Sequence, residues 1–424
     1  VAQIVIYGMN YAPEFAGVGR YTGEIGDHLS QIGHEVTVIT TPPHYPGWKA
    51  IPPHRNRGYS VELNNRVRIL RCPLLLRERM QGIWRLLAPL SFAVFSAPVA
   101  FWQIVRRRPR TVLCVEPTLL VAPVALLAAS IVGAATVLHV QDLEVDAAFG
   151  VGHLRGAWWM RRIAYGFERA MLRRFRRVVT ISNRMAERLV AKGVDRERIS
   201  VVRNWVDLER VQPIEGLSSF RAELGIGPKE FVVLYSGALG AKQGLDHLVA
   251  AIREVNAQSN IRFVIAGEGP AKAMLAAEFG EVANVQLLPF QPQERLSDFL
   301  GLADLHVLPQ QSGAADLVLP SKMGGMLASG RRIVVTAAVG TELALFLDGA
   351  AIVVAPDDPS ALADAILRSA ADESFGQDAS GRGRQLAQLL SKVEALRSIE
   401  AAILGTEESA RARAMIVRVA AVPP

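Results

Sequence analysis

Cysteine is nearly missing from this chain: its 424 residues include two, Cys72 and Cys114, and these form no C-x-x-C pair. A disulfide scaffold and a cysteine-rich metal site are thereby excluded, and a reducing compartment, the cytoplasm, is expected. No G-x-G-x-x-G follows the first strand-like run, so a dinucleotide-binding reading fails on spacing. Low-complexity tracts and internal repeats are missing too, which excludes a linker-like or solenoid chain. Acidic residues are scarce in one half only. Residues 1–210 hold 29 Lys+Arg against 16 Asp+Glu, a net of +13, whereas residues 211–424 hold 18 against 24, a net of −6. The two halves therefore meet different partners.

Charge of either sign is absent from residues 86–105, yet Arg77, Arg79 and Arg85 precede that run and Arg106, Arg107, Arg108 and Arg110 follow it. A helix of this length rises about 30 Å, enough to cross a bilayer, but Pro89, Pro98 and Gln103 interrupt it. A second apolar stretch, 118–138, parses as a helix (121–131) and a strand (135–138) around Gly133. Arginines flanking apolar surface favour an anionic membrane over nucleic acid. The expected location is peripheral, on the inner face of the plasma membrane, in preference to a spanning helix.

What is present is alternation. In the first half, runs at 2–7, 35–40, 67–70, 111–115, 135–140, 177–181 and 200–202 read as buried strands, with helices at 21–32, 83–105, 158–175 and 182–192. The second half repeats the pattern, with strands at 231–235, 262–266, 285–288, 305–308, 333–336 and 351–354. The fold class is α/β: two doubly wound, Rossmann-like parallel-sheet domains facing each other across a cleft. The expected division is 1–205 as an acceptor-side, membrane-associating domain, 206–219 as a linker, 220–405 as the donor-binding domain, and 406–424 as an unassigned tail.

The stretch FVVLYSGALGAKQGLDHLVA, residues 231–250, joins a strand to a helix through a loop with Gly237 and Lys242. Glycines let backbone N–H groups approach a ligand, the helix presents its positive end, and the lysine adds charge, so a phosphate or diphosphate is the expected ligand. A solvated strand-to-helix turn is the plainer alternative. Gly17 and Gly19 open the first helix in the same way. Ligands of open parallel sheets lie beyond the carboxyl ends of the strands. That edge carries Gly17, Gly19, His139, Gly237, Lys242, Glu268 and Pro320-Ser321-Lys322.

The order of AGVGRYTGEI, LHVQD, RVVTISNRM, VRNWVD, SGALGAKQGLDHL, FVIAGEGP, LADLHVLP, LPSKMGGMLASGRRIVV and APDDPSALADAI resembles the family-4 retaining glycosyltransferases of the GT-B fold, over nearly the whole chain. LHVQDLEVDAAFG, Trp205 and LPSKM are most similar to the colanic acid, fucosyltransferase-like branch. The resemblance implies transfer of a sugar from a nucleotide-diphosphate donor, a GDP-sugar such as GDP-fucose being favoured, to a lipid-linked or oligosaccharide acceptor in exopolysaccharide or capsule biosynthesis. It implies Gly17 and Gly19 as the loop over the donor phosphates and acceptor, Arg20 and Tyr21 on the acceptor side, and His139 near the donor sugar. His139 and Asp142 are the catalytic candidates, and Asp142 either orients His139, meets the acceptor or caps a helix. Gly237, Lys242, Glu268, Pro320, Ser321 and Lys322 fall on the donor side.

Two departures stand out. Ala238 occupies the family's arginine position, and Leu317 and Gly325 occupy those of its two glutamates. Lys322 is therefore expected to share the diphosphate with Lys242. Lysines and N–H groups can stabilise a leaving diphosphate without a metal ion, and no metal or cofactor is expected. An epimerase of the same fold and a non-catalytic sugar-nucleotide binding subunit remain as alternatives.

Overall fold

The computed structural model describes residues 1–14, 17–45, 47–77, 84–146, 158–240, 243–255, 260–312 and 319–405. The chain forms two compact units, Val1–Arg203 with the residues from Glu394 onward, and Asn204–Val393.

The first unit is built on eight strands, β1 (Gln3–Tyr7), β2 (Glu35–Thr40), β3 (Ser60–Asn64), β4 (Val67–Arg71), β5 (Thr111–Glu116), β6 (Ala135–Val140), β7 (Arg177–Thr180) and β8 (Ile199–Val201). Their order is β3-β4-β2-β1-β5-β6-β7-β8. All neighbours are parallel except the β3–β4 pair. The chain starts at β1 and winds both ways, so the topological switch point lies between β1 and β5. The helices are α1 (Val18–Gln31), α2 (Trp84–Arg107), α3 (Ala122–Val132), α4 (Trp158–Leu172) and α5 (Asn183–Ala191).

Helix α2 explains the long uncharged run. Ala88, Phe92, Ser96, Ala100 and Ile104 recur every four residues and are buried, and the Ser96 hydroxyl bonds the Tyr7 hydroxyl at 2.6 Å. The segment Leu87–Arg107 is long and apolar enough to cross a membrane, but its inner stripe belongs to the core of the first unit.

The second unit holds six parallel strands, β9 (Phe231–Ser236), β10 (Ile261–Ala266), β11 (Val285–Leu288), β12 (Leu305–Leu308), β13 (Arg332–Thr336) and β14 (Ile352–Val354), in the order β11-β10-β9-β12-β13-β14. Its switch point lies between β9 and β12. Its helices are α6 (Ser219–Glu223), α7 (Leu245–Val255), α8 (Lys272–Phe279), α9 (Leu296–Gly301), α10 (Met323–Ala328), α11 (Glu342–Phe346), α12 (Pro359–Ala371) and α13 (Gln377–Gln388). Aliphatic side chains on β9, β10, β12 and β13 pack with α7 and α12, each buried Val, Leu or Ile contributing about 1.5–3 kcal/mol.

The last helix, α14 (Lys392–Leu404), returns to the first unit from Glu394 onward. There Thr111 donates to the carbonyl of Ile403 at 3.0 Å, Arg177 to that of Ala402 at 3.0 Å, and His28 pairs with Glu400 at 3.1 Å. The sequence expectation that the second domain runs to residue 405 differs at this point. The reason is that the polar partners of α14, Thr111, Arg177 and His28, belong to the first unit.

Candidate functional site

In the second unit, the loop leaving β9 carries Gly237 at φ 146, a conformation open to glycine. A Cβ there would lie 2.9 Å from Cδ of Lys322 and 3.5 Å from its Nζ. The missing side chain makes room for the lysine. Lys322 Nζ sits 3.8 Å above the Tyr235 ring, is enclosed, and has no hydrogen-bond partner among the described residues. Burial lowers its pKa from 10.5 to about 7. Pro320 and Ser321 form the turn that delivers it, with Met323 N–H donating to the Pro320 carbonyl at 3.1 Å. The loops after β9 and β10 also meet backbone to backbone, since a Cβ on Gly267 would run into the Gly237 carbonyl.

Gly237, Pro320, Ser321 and Lys322 are thus brought together beside the switch point of the second sheet, as the sequence suggests. Glu268 is not part of that group as placed, because its carboxylate is paired with Lys272 at 2.7 Å on the surface. Lys242 lies outside the described residues. At Gly325, a family glutamate position, a Cβ would lie 3.1 Å from Leu300, so the position is a packing one.

The corresponding edge of the first unit is organised by a residue that sequence reasoning passed over. The Glu14 carboxylate is buried and accepts hydrogen bonds from Asn10 Nδ2 at 2.9 Å and from the backbone N–H groups of His44 and Tyr45 at 3.0 Å each. It fills the space beside Gly19, where a Cβ would lie 2.7 Å from that of Glu14. A Cβ on Gly17 would meet the Tyr45 ring at 3.3 Å. The start of α1, expected to be open to donor phosphate, holds the chain's own anion, and Gly19 is a packing glycine. Tyr21 is buried in the core and Arg20 pairs with Glu24 at 3.0 Å, so neither stands open as an acceptor contact.

His139 lies within β6, in register with Val115 and Val179, and is buried. Gln141 Nε2 donates to its Nε2 at 3.1 Å, which leaves the ring proton on Nδ1, and burial lowers its pKa to about 4. The histidine is a neutral core residue here. Gln141 and the half-buried Asp142 are what follow at the strand's end.

Glu116 closes β5 at the switch point. Both carboxyl oxygens are enclosed, without a side-chain hydrogen-bond partner among the described residues, and its pKa is pushed well above the usual range by burial and then by Glu144, Glu168 and Asp142. Glu144 is raised to about 7 by burial, against the N–H of Leu119, which donates to it at 3.2 Å. The sequence signal for Glu116 was a lone carboxylate ending the apolar run TVLCVE before Pro117.

Residues 16–205 match the Glycosyl transferase 4-like domain family, and residues 230–372 match Glycosyl transferases group 1. The chain is 37% identical over 380 residues to the colanic acid biosynthesis glycosyl transferase WcaI of Escherichia coli (strain K12), covering 87% of this chain and 92% of that protein. Its fold is similar to that of sucrose-phosphate synthase from Thermosynechococcus elongatus, at a TM-score of 0.73 and 17% identity over 94% of this chain and 98% of the other. It is likewise similar to WaaG, a glycosyltransferase involved in lipopolysaccharide biosynthesis, at a TM-score of 0.68 and 15% identity over 95% and 100%. Anabaena HepE, solved with UDP and glucose, matches at a TM-score of 0.68 and 14% identity over 96% and 100%.

Proposed function

The chain belongs to the GT-B glycosyltransferases that join a Glycosyl transferase 4-like domain to a group 1 domain, and from this premise we propose that its second unit binds a nucleoside-diphosphate sugar. The sugar passes, with retained anomeric configuration, to a lipid-linked or oligosaccharide acceptor in the assembly of an exopolysaccharide. GDP-fucose is the donor to try first, on the likeness to the colanic acid branch. The observation that carries the reading is Lys322: an enclosed ammonium without an anionic partner among the described residues, at a sheet's switch point, is stabilised by a ligand's phosphate.

Departure of the nucleoside diphosphate builds negative charge on the leaving oxygen. Lys322 would offset that charge at little reorganisation cost, and Lys242 is the second cation expected from the sequence. Activity should survive a chelator.

Calorimetry with UDP and GDP, against uridine and guanosine, tests the site. Lys322→Ala should weaken diphosphate binding about tenfold to hundredfold, the loss of one charge-assisted contact, and change nucleoside binding little. A normal diphosphate affinity in that variant would remove Lys322 from the site. Product analysis with an acceptor pool separates transfer from epimerisation, which would release a changed sugar with no acceptor.

A further inference from the structure

Among the described residues, Lys322 keeps its place without an acid. Its Nζ lies 3.8 Å from the centre of the Tyr235 ring, well within the range over which a ring face attracts a cation. Burial lowers its pKa with no contribution from an ionisable neighbour among the described residues. The carboxylate of Glu268, on the adjoining loop, is taken up by Lys272. What meets the ammonium instead is the ring of Tyr235, the last but one residue of β9.

Tyr235 also holds the loop that follows it. The residue is buried, and its hydroxyl donates to the Ala238 carbonyl at 2.7 Å. One side chain thus touches Lys322 with its ring and the β9 loop with its hydroxyl. The same loop is pinned from the β10 side, where the N–H groups of Gly237 and Leu239 donate to the Ala266 and Glu268 carbonyls at 2.9 Å each. The choice of an aromatic at 235 has a physical sense. A carboxylate there would bind the ammonium as an ion pair that an incoming diphosphate would have to break. An aliphatic side chain would leave the cost of burial alone, which favours the neutral amine. An aromatic face lies between the two: it favours the charged form by roughly twofold to thirtyfold, and it yields to a phosphate, which carries full negative charge.

We propose that Tyr235 is a positioning residue of the donor site: its ring holds the Lys322 ammonium ready for a diphosphate, and its hydroxyl fixes the β9 loop through Ala238. This deepens the donor-site reading and rests on it for the ligand. The hold of the ring on the ammonium is tested without any ligand.

The test compares the parent with Tyr235→Phe, Tyr235→Leu and a chain carrying pentafluorophenylalanine at position 235. The fluorinated ring keeps its shape and loses its negative face, so the comparison stands even where Tyr235→Leu fails to fold. In the ligand-free chain, NMR of the lysine Cε and Nζ resonances follows Lys322, assigned by its disappearance in Lys322→Ala. The titration midpoint should hold in Tyr235→Phe and fall by about 0.4–1.5 pH units in Tyr235→Leu, with the fluorinated chain moving the same way. UDP calorimetry reads the consequence. The parent-to-variant ratio of affinities, in which the titration of UDP itself cancels, should climb in Tyr235→Leu from near one at about pH 5 to about twofold to thirtyfold at about pH 9. In Tyr235→Phe the ratio should stay flat with pH. A loss in Tyr235→Leu that is equal at every pH is what a merely structural role would give, and that result or an unmoved midpoint would overturn the proposal. Normal UDP binding by Lys322→Ala, with the midpoint shifted as expected, would instead sink the donor-site reading and leave the hold of Tyr235 on Lys322 standing.

Discussion

Each unit closes the carboxyl edge of its sheet over an enclosed ionisable side chain, but the two are opposite in kind. The first unit buries Glu116, an acid beside other acids, and fills the start of α1 with the Glu14 carboxylate. The second unit buries Lys322, whose burial brings it close to neutrality. Two doubly wound sheets thus enclose ionisable groups of opposite kind near their switch points. The shared topology says where a ligand can sit, and the ionisable groups decide which ligand.

The largest expected effect would show whether the first edge is packed instead of open. Gly19→Val drives a branched side chain into Glu14, and overpacking a buried site costs roughly 3 kcal/mol. Urea unfolding should report that loss, and adding Glu14→Ala should give less than the sum of the two single losses. A Gly19→Val chain of unchanged stability that has lost only transfer would return the loop to a ligand-binding role and weaken the contrast.

The next effect lies in the second edge. Anion binding raises the pKa of Lys322 from its free value of about 7, so diphosphate affinity should fall as pH rises above 7. The limiting slope is about tenfold per pH unit. In Lys322→Ala the slope should vanish, and an unchanged slope in that variant would assign the titration elsewhere.

The third effect, the smallest when read over a single pH unit, concerns stability. Glu116 has a higher pKa folded than unfolded, so between the unfolded value of 4.5 and its raised folded value the native state holds the extra proton and stability falls as pH rises. Lys322 has a lower pKa folded than unfolded, so between about 7 and 10.5 the unfolded state holds the extra proton and stability rises with pH. Each group contributes at most about 1.4 kcal/mol per pH unit. Glu116→Gln should flatten the loss in the first unit, and Lys322→Met the gain in the second, as read by unit-specific hydrogen exchange.

Much of this contrast was legible in the sequence, and the exceptions have physical causes. Parallel strands buried on both faces read as continuous apolar runs, so β1, β5, β6, β9 and β10 were clear from composition. The edge strand β3 was missed because SVELN lies almost wholly in solvent and needs no apolar run. Lys322 could be foreseen because its motif places a lysine just after a proline turn. Glu14 could not, since the groups that fix it, the His44 and Tyr45 amides, lie 30 and 31 residues away. His139 and Tyr21 were expected at the site on the family resemblance, and both are buried in the structure. A shift of one or two residues along a strand or helix separates rim from core, and only coordinates resolve it.

The return of α14 to the first unit bears on how the protein is made. The ribosome completes the first sheet long before it synthesises the helix that supplies carbonyl acceptors to Thr111 and Arg177 and a carboxylate to His28. Until residue 404 has emerged, a nascent first unit presents those groups and the apolar surface around them without their cover. The second unit is, in effect, an insertion that must fold in the interval. A stop codon after Arg203 would therefore yield an unfinished domain, and the natural place to cut this protein in two is not between its halves.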